Sequence, residues 1–98
     1  MDDHDLDRRI ETYRVRVRGA VQGVGYRNAT VRRAHALRVT GWVANMPDGT
    51  VEAVVQGAAN QVDRMLEWMR QGPAMARVRE LEAEEDRTNR RYDRFETH

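Results

Sequence analysis

The stretch Tyr13-Arg14-Val15-Arg16-Val17-Arg18-Gly19-Ala20-Val21-Gln22-Gly23-Val24-Gly25-Tyr26-Arg27 decides how the rest of the chain is read. In its first half Tyr13, Val15 and Val17 alternate with Arg14, Arg16 and Arg18. Period two is the pattern of a half-buried strand, apolar toward a core and basic toward water. In its second half three glycines surround a short apolar run and Arg27 closes it. Residues 28 to about 37 then read as a helix, with Tyr26, Thr30, Ala34 and Leu37 near one face. Strand, glycine loop, helix is the order that wraps backbone N–H groups around a small anion. Glycine lets successive amides point into one concavity. The helix adds its positive end. Arginine adds a planar fork that takes two oxygens at once. The loop therefore predicts phosphate chemistry, built from the amides of Ala20, Val21, Gln22, Gly23 and Val24 with Arg27 at the mouth.

Outward from this loop, the chain reads as alternating elements. Gly41-Trp42-Val43-Ala44-Asn45 fits a second strand, Pro47-Asp48-Gly49 a turn, and residues 51–56 a third strand. A second helix over 58 to 71 carries Val62, Met65, Leu66 and Met69 at i, i+3, i+4 and i+7. Met65, Trp68 and Met69 read as core or core-edge residues rather than as a cofactor box. Gly72-Pro73 stops that helix. A fourth strand fits residues 77 to 84, a charged turn 86–91, and a short fifth edge strand 92–95. The order βαββαβ predicts an α+β fold, an antiparallel sheet with both helices on one face.

Composition bounds the rest. Ninety-eight residues, 40% hydrophobic and 34% charged, suit one small soluble domain over 12–98, with 1–11 a polar, poorly ordered tail. Net charge is only +1, which does not suit a dedicated nucleic-acid binder. All 17 basic residues are arginine, so lysine Schiff bases and phosphate-loop lysines are excluded. The chain has no cysteine, which removes disulfides, thiol nucleophiles and thiolate metal sites. No apolar run suits a membrane span. The start Asp2, Asp3, His4, Asp5 is unlike a secretory signal, so a cytoplasmic protein is expected.

Two glycine-rich alternatives fail on the residues. A nucleotide phosphate loop needs G-x-x-x-x-G-K-[ST], and a dinucleotide fingerprint needs a third glycine where Asn28 stands. A tight strand-to-helix connection without any ligand remains open on spacing alone. Asn45 before its turn is either structural or a group that orients a water, since an amide both donates and accepts. His4, His35 and His98 form no metal-ligand spacing. Glu80, Glu82, Glu84, Glu85 and Asp86 read as a solvated strand face and turn.

Taken together, Gly19-x-Val21-Gln22-Gly23-Val24-x-Tyr26-Arg27 followed by Gly41-Trp42-Val43-x-Asn45-x-x-Asp48-Gly49-x-Val51 resembles the acylphosphatases. Gly57, Met65, Trp68, Gly72-Pro73 and Val78 extend the likeness over nearly the whole domain. The resemblance implies a ferredoxin-like two-layer sandwich that hydrolyses acyl phosphates, small-molecule substrates, without metal or organic cofactor. It implies Arg27 as the phosphate-binding arginine, Asn45 as the water-orienting asparagine, and the amides of residues 20–24 as the cradle. Inorganic phosphate would be product and competitive inhibitor of a monomer that binds neither nucleic acid nor membrane. Two positions depart from the family pattern. Arg38 stands where a glycine is common after the first helix; a left-handed arginine would cost about 1–2 kcal/mol. Met46 stands where some members carry a hydroxyl. A non-catalytic anion-binding or regulatory module and an RNA-binding module on the same fold are the competing readings.

Overall fold

The structure, a computed structural model, describes residues 9–98. The elements run β1 (Ile10–Ala20), α1 (Tyr26–Leu37), β2 (Thr40–Asn45), β3 (Val51–Ala58), α2 (Ala59–Gln71), β4 (Arg77–Glu85) and β5 (Phe95–Thr97). The strands form one sheet in the order β4-β1-β3-β2-β5. α1 packs over β2 and β5, α2 over β3, β4 and β1, and the two helices touch each other. One sheet face is thus covered and the other left to solvent.

Burial follows the sequence pattern. Val15 and Val17 of β1, Val43 of β2, and Val51, Ala53 and Val55 of β3 point into the core. They meet Val62, Met65, Leu66 and Met69 of α2 and Tyr26, Ala29, Thr30 and Ala34 of α1. Met65 and Met69 are fully buried, and each such side chain contributes about 1.5–3 kcal/mol. On the open face Arg14, Arg16 and Arg18 stand opposite Glu84, Glu82 and Glu80 of β4. Arg16 also bonds Glu52 of β3, Nε to Oε1 at 3.1 Å.

Three expectations need correction. The tail expected over 1–11 ends sooner, because Ile10 and Glu11 already pair with Ala58 and Gly57 of β3. β3 runs on to Ala58 and offers these residues a ladder of backbone partners. The remainder of that tail, 1–8, lies outside the described residues. The sheet is mixed rather than antiparallel: β5 pairs parallel with β2, with Gly41 opposite Phe95. The strand directions force this. β4 ends at the end of the sheet where β2 begins, so a strand that next pairs with β2 from that end runs parallel to it. The fifth strand is also displaced, to Phe95–Thr97 from the expected 92–95. Tyr92 instead gives its N–H to Gln56 Oε1 at 2.9 Å, and Phe95 enters the core.

Gly19 and Arg38 fix two junctions. A β-bulge between Arg18 and Gly19 shifts the β1–β4 register, and a Cβ on Gly19 would collide with the Arg77 carbonyl. Arg38 caps α1 at φ 59°, the left-handed position that the sequence marks as awkward for arginine. There Arg38 N–H reaches His35 O at 3.3 Å and Val39 N–H reaches Ala34 O at 2.8 Å, closing the helix end.

Candidate active site

β1 and β2 both end at one edge of the sheet, and α1 begins there. Topology therefore gathers the glycine loop, Arg27 and Asn45 at a single place. The loop is held by Val21, 1% exposed in the core, and by the partly buried Val24. Between and after them Gly23 and Gly25 take φ 74° and 79°, with open space where a Cβ would stand. Conformation, not crowding, is what demands glycine at both. Left-handed residues alternating in a turn swing successive N–H groups to one side, the arrangement of an anion nest. Among the described residues, the N–H groups of Gln22, Gly23, Val24 and Gly25 make no hydrogen bond to another protein group.

Arg27 is the second residue of α1, so its guanidinium lies beside the helix's positive end. It forms no ion pair among the described residues. Arg27 and Asn45 line the same concavity of ≈ 160 Å³, together with Val21, Gly23, Gly25, Tyr26 and Asn28. Asn45 Oδ1 is buried there without a hydrogen-bond partner. Gln61 Oε1 of α2 is buried in the same way.

The remaining loop residues are distributed differently. Ala20 is still in the β1 ladder, opposite Arg77, and lines the neighbouring concavity rather than this one. Val24 packs against the core. Gln22 does more with its side chain than the sequence suggested. Its Nε2 donates to the carbonyls of Met46 and Thr50, each at 2.8 Å. The loop is thereby tied to the β2–β3 turn, directly after Asn45. That turn is firm: Met46 N–H meets Thr50 O at 2.8 Å, and Asp48 Oδ1 accepts the Thr50 hydroxyl at 2.6 Å and its N–H at 3.0 Å. The Thr50 hydroxyl, then its N–H, hold the Asp48 carboxyl below its ordinary range.

Tyr26, read in the sequence as a residue of one helix face, is a second anchor through a bond that reading did not include. Its hydroxyl donates to Met69 O of α2 at 2.7 Å, and the side chain is 1% exposed. Burial pushes this phenol far above its ordinary pKa, so it stays a neutral donor. Trp68 lies 6.0 Å from the Tyr26 ring, and the Arg33 guanidinium sits over Trp68. The start of α1, and Arg27 with it, is therefore fastened to α2.

The open sheet face does not form a base-stacking platform. Its arginines meet glutamates across the strands, and Trp42 is covered by the His98 ring, stacked at 5.0 Å. Among the described residues no three His, Asp or Glu side chains are grouped to hold a metal ion. Among the described residues no helix is long and apolar enough to cross a membrane.

The acylphosphatase family profile matches residues 13–97. The chain is 68% identical to an acylphosphatase of Paraburkholderia xenovorans (strain LB400), covering 96% of this chain and 97% of that one. Among solved structures, an acylphosphatase from Coxiella burnetii superposes with a TM-score of 0.86 at 34% identity, covering 91% and 93% of the two chains. One from Bacillus subtilis does so with 0.87 at 32%, covering 90% and 98%. Family profile, a close relative and superposable structures agree over nearly the full length, and the chain belongs to the acylphosphatase family.

Proposed function

We propose that this chain hydrolyses the carboxyl-phosphate bond of acyl phosphates in the concavity between residues 21–28 and Asn45, with no metal or organic cofactor. The observation that carries the reading is that Arg27, which forms no ion pair among the described residues, and the Asn45 amide line one small concavity with the glycine loop. The phosphoryl group sits on the loop amides, with the Arg27 fork on two of its oxygens. Asn45 accepts a hydrogen bond from a water and holds it in line with the bond to be broken.

This chemistry asks for little more. The water oxygen bonds to phosphorus as the phosphorus–oxygen bond to the acyl group breaks. The bonding pair leaves with the carboxylate, whose conjugate acid has a pKa of about 4, so no acid is needed to protonate it. The water's proton passes to the phosphoryl group itself, giving inorganic phosphate. The transition state is loose, so placement and charge stabilisation supply most of the rate. Phosphate, as product, competes with substrate. Among the described residues only Ile10 and Met75 are large exposed hydrophobics, which favours a monomer.

The test is hydrolysis of benzoyl phosphate against p-nitrophenyl phosphate in buffer containing EDTA. Strong preference for benzoyl phosphate, unaffected by the chelator and competitively inhibited by phosphate, is expected. Equal turnover of the two, or loss of activity with EDTA, would overturn the reading.

A further inference from the structure

Beside the phosphate concavity lies a second one, of ≈ 440 Å³, on the open face of the sheet. Its walls include Arg18 of β1, Arg77 and Arg79 of β4, Ala20, and the Asp48–Thr50 turn. The bulge at Gly19 assembles it. Val78 and Leu81 both pack against the core although they are three residues apart. The extra residue in β4 leaves Arg77 and Arg79, flanking Val78, both beside Arg18.

Three arginines gather at this end of the face. Arg16, one row below, is bonded to Glu52. At this end Arg77 and Arg79 form no ion pair among the described residues. Arg18 meets Glu82 and Glu80 only at 3.7 and 3.9 Å. Asp48 is the one carboxylate in the wall, and its Oδ1 already accepts two bonds from Thr50. Like charges gathered in a cleft raise the local concentration of anions.

The two concavities are lined by residues that are neighbours along the chain. Ala20 lines one and Val21 the other; Asn45 lines one and Asp48, three residues on, the other. Gln22 ties the glycine loop to the β2–β3 turn through the Met46 and Thr50 carbonyls. We infer that Arg18, Arg77 and Arg79 form a subsite for a second anionic group on the acyl part of the substrate. The chain then prefers acyl phosphates whose tail ends in a carboxylate or phosphate over those with an uncharged tail. This rests on the reaction proposed above.

Succinyl phosphate and butyryl phosphate separate the two ideas, since only the first carries a distal anion. At low ionic strength the native chain is expected to favour succinyl phosphate in kcat/KM by about tenfold, the effect of a few partly screened charge pairs. The double substitution Arg77→Gln, Arg79→Gln should erase that preference by raising KM for succinyl phosphate, with kcat unchanged. Butyryl phosphate should stay within about twofold, because both side chains are exposed and outside the phosphate cradle. No preference in the native chain, or an equal loss for both substrates in the double variant, overturns the subsite. Failure of the native chain to hydrolyse either compound would instead sink the reaction itself.

Discussion

Arg27 and Arg38 stand at the two ends of α1 and do opposite work. Arg27 presents two parallel N–H donors to a phosphoryl group beside the helix's positive end. A lysine there keeps the charge and loses the fork. Arg27→Lys is expected to lower kcat/KM for benzoyl phosphate by about 10²-fold or more, with thermal stability unchanged; turnover near the native level would remove Arg27 from the mechanism. Arg38 carries backbone strain at φ 59°. Glycine relieves it but adds freedom to the unfolded chain, so Arg38→Gly should stabilise by about 0.5–1 kcal/mol. Urea midpoints measure this, and a destabilised variant would show that the arginine side chain earns its place by other contacts. Gly23 and the loop mouth at Arg27 were legible from local rules of turn and charge, whereas the Asn45 role and the awkward Arg38 position were expected only from the family resemblance. The Gln22 and Tyr26 side-chain bonds were legible in neither way: their partners lie 24 or more residues away, and no local pattern encodes such a contact.

The β2–β3 turn is the element on which the position of Asn45 depends. Asp48 is held below its ordinary pKa by the Thr50 hydroxyl and amide, so its folded value lies under its unfolded one. The stability it contributes is fully present above the unfolded value and is lost as pH falls through the folded one. Asp48→Asn should therefore lower stability at neutral pH and flatten part of the acid limb, with the variant and the native chain converging at low pH. An unchanged acid limb would mean that the carboxylate does not hold the turn. The bulge at Gly19 makes a sharper demand, because a Cβ there collides with the Arg77 carbonyl and φ is 134°. Gly19→Ala should cost more than about 2 kcal/mol, measured by denaturant unfolding; a native-like midpoint would contradict the close approach. The alternation of β1 and the i, i+3, i+4, i+7 spacing of α2 made these elements readable. The start of β1 at Ile10 was not, since it rests on how far β3 extends.

The whole molecule is closed by the segment from β4 to β5, which crosses the sheet edge opposite the active site. Gln56, 2% exposed, holds it: Nε2 donates to Thr12 Oγ1 at 2.9 Å and to Arg90 O at 2.8 Å, while Oε1 accepts Tyr92 N–H. This crossing also explains why the parallel β5 was hidden from the sequence. Phe95 alone marks the strand, and its partner is chosen by topology. Gln56→Leu leaves those groups without partners and should destabilise by about 2–4 kcal/mol, yet leave kcat of the folded protein unchanged. Lost catalysis with intact stability would show that the two edges of the sheet are coupled. The central claim, that one concavity both grips phosphate and aims water, is tested most directly on Asn45→Ala by measuring kcat for benzoyl phosphate together with the inhibition constant of inorganic phosphate. The account predicts that kcat falls by about 10²–10³-fold while phosphate binds within about threefold of native; phosphate affinity lost with kcat intact would contradict it.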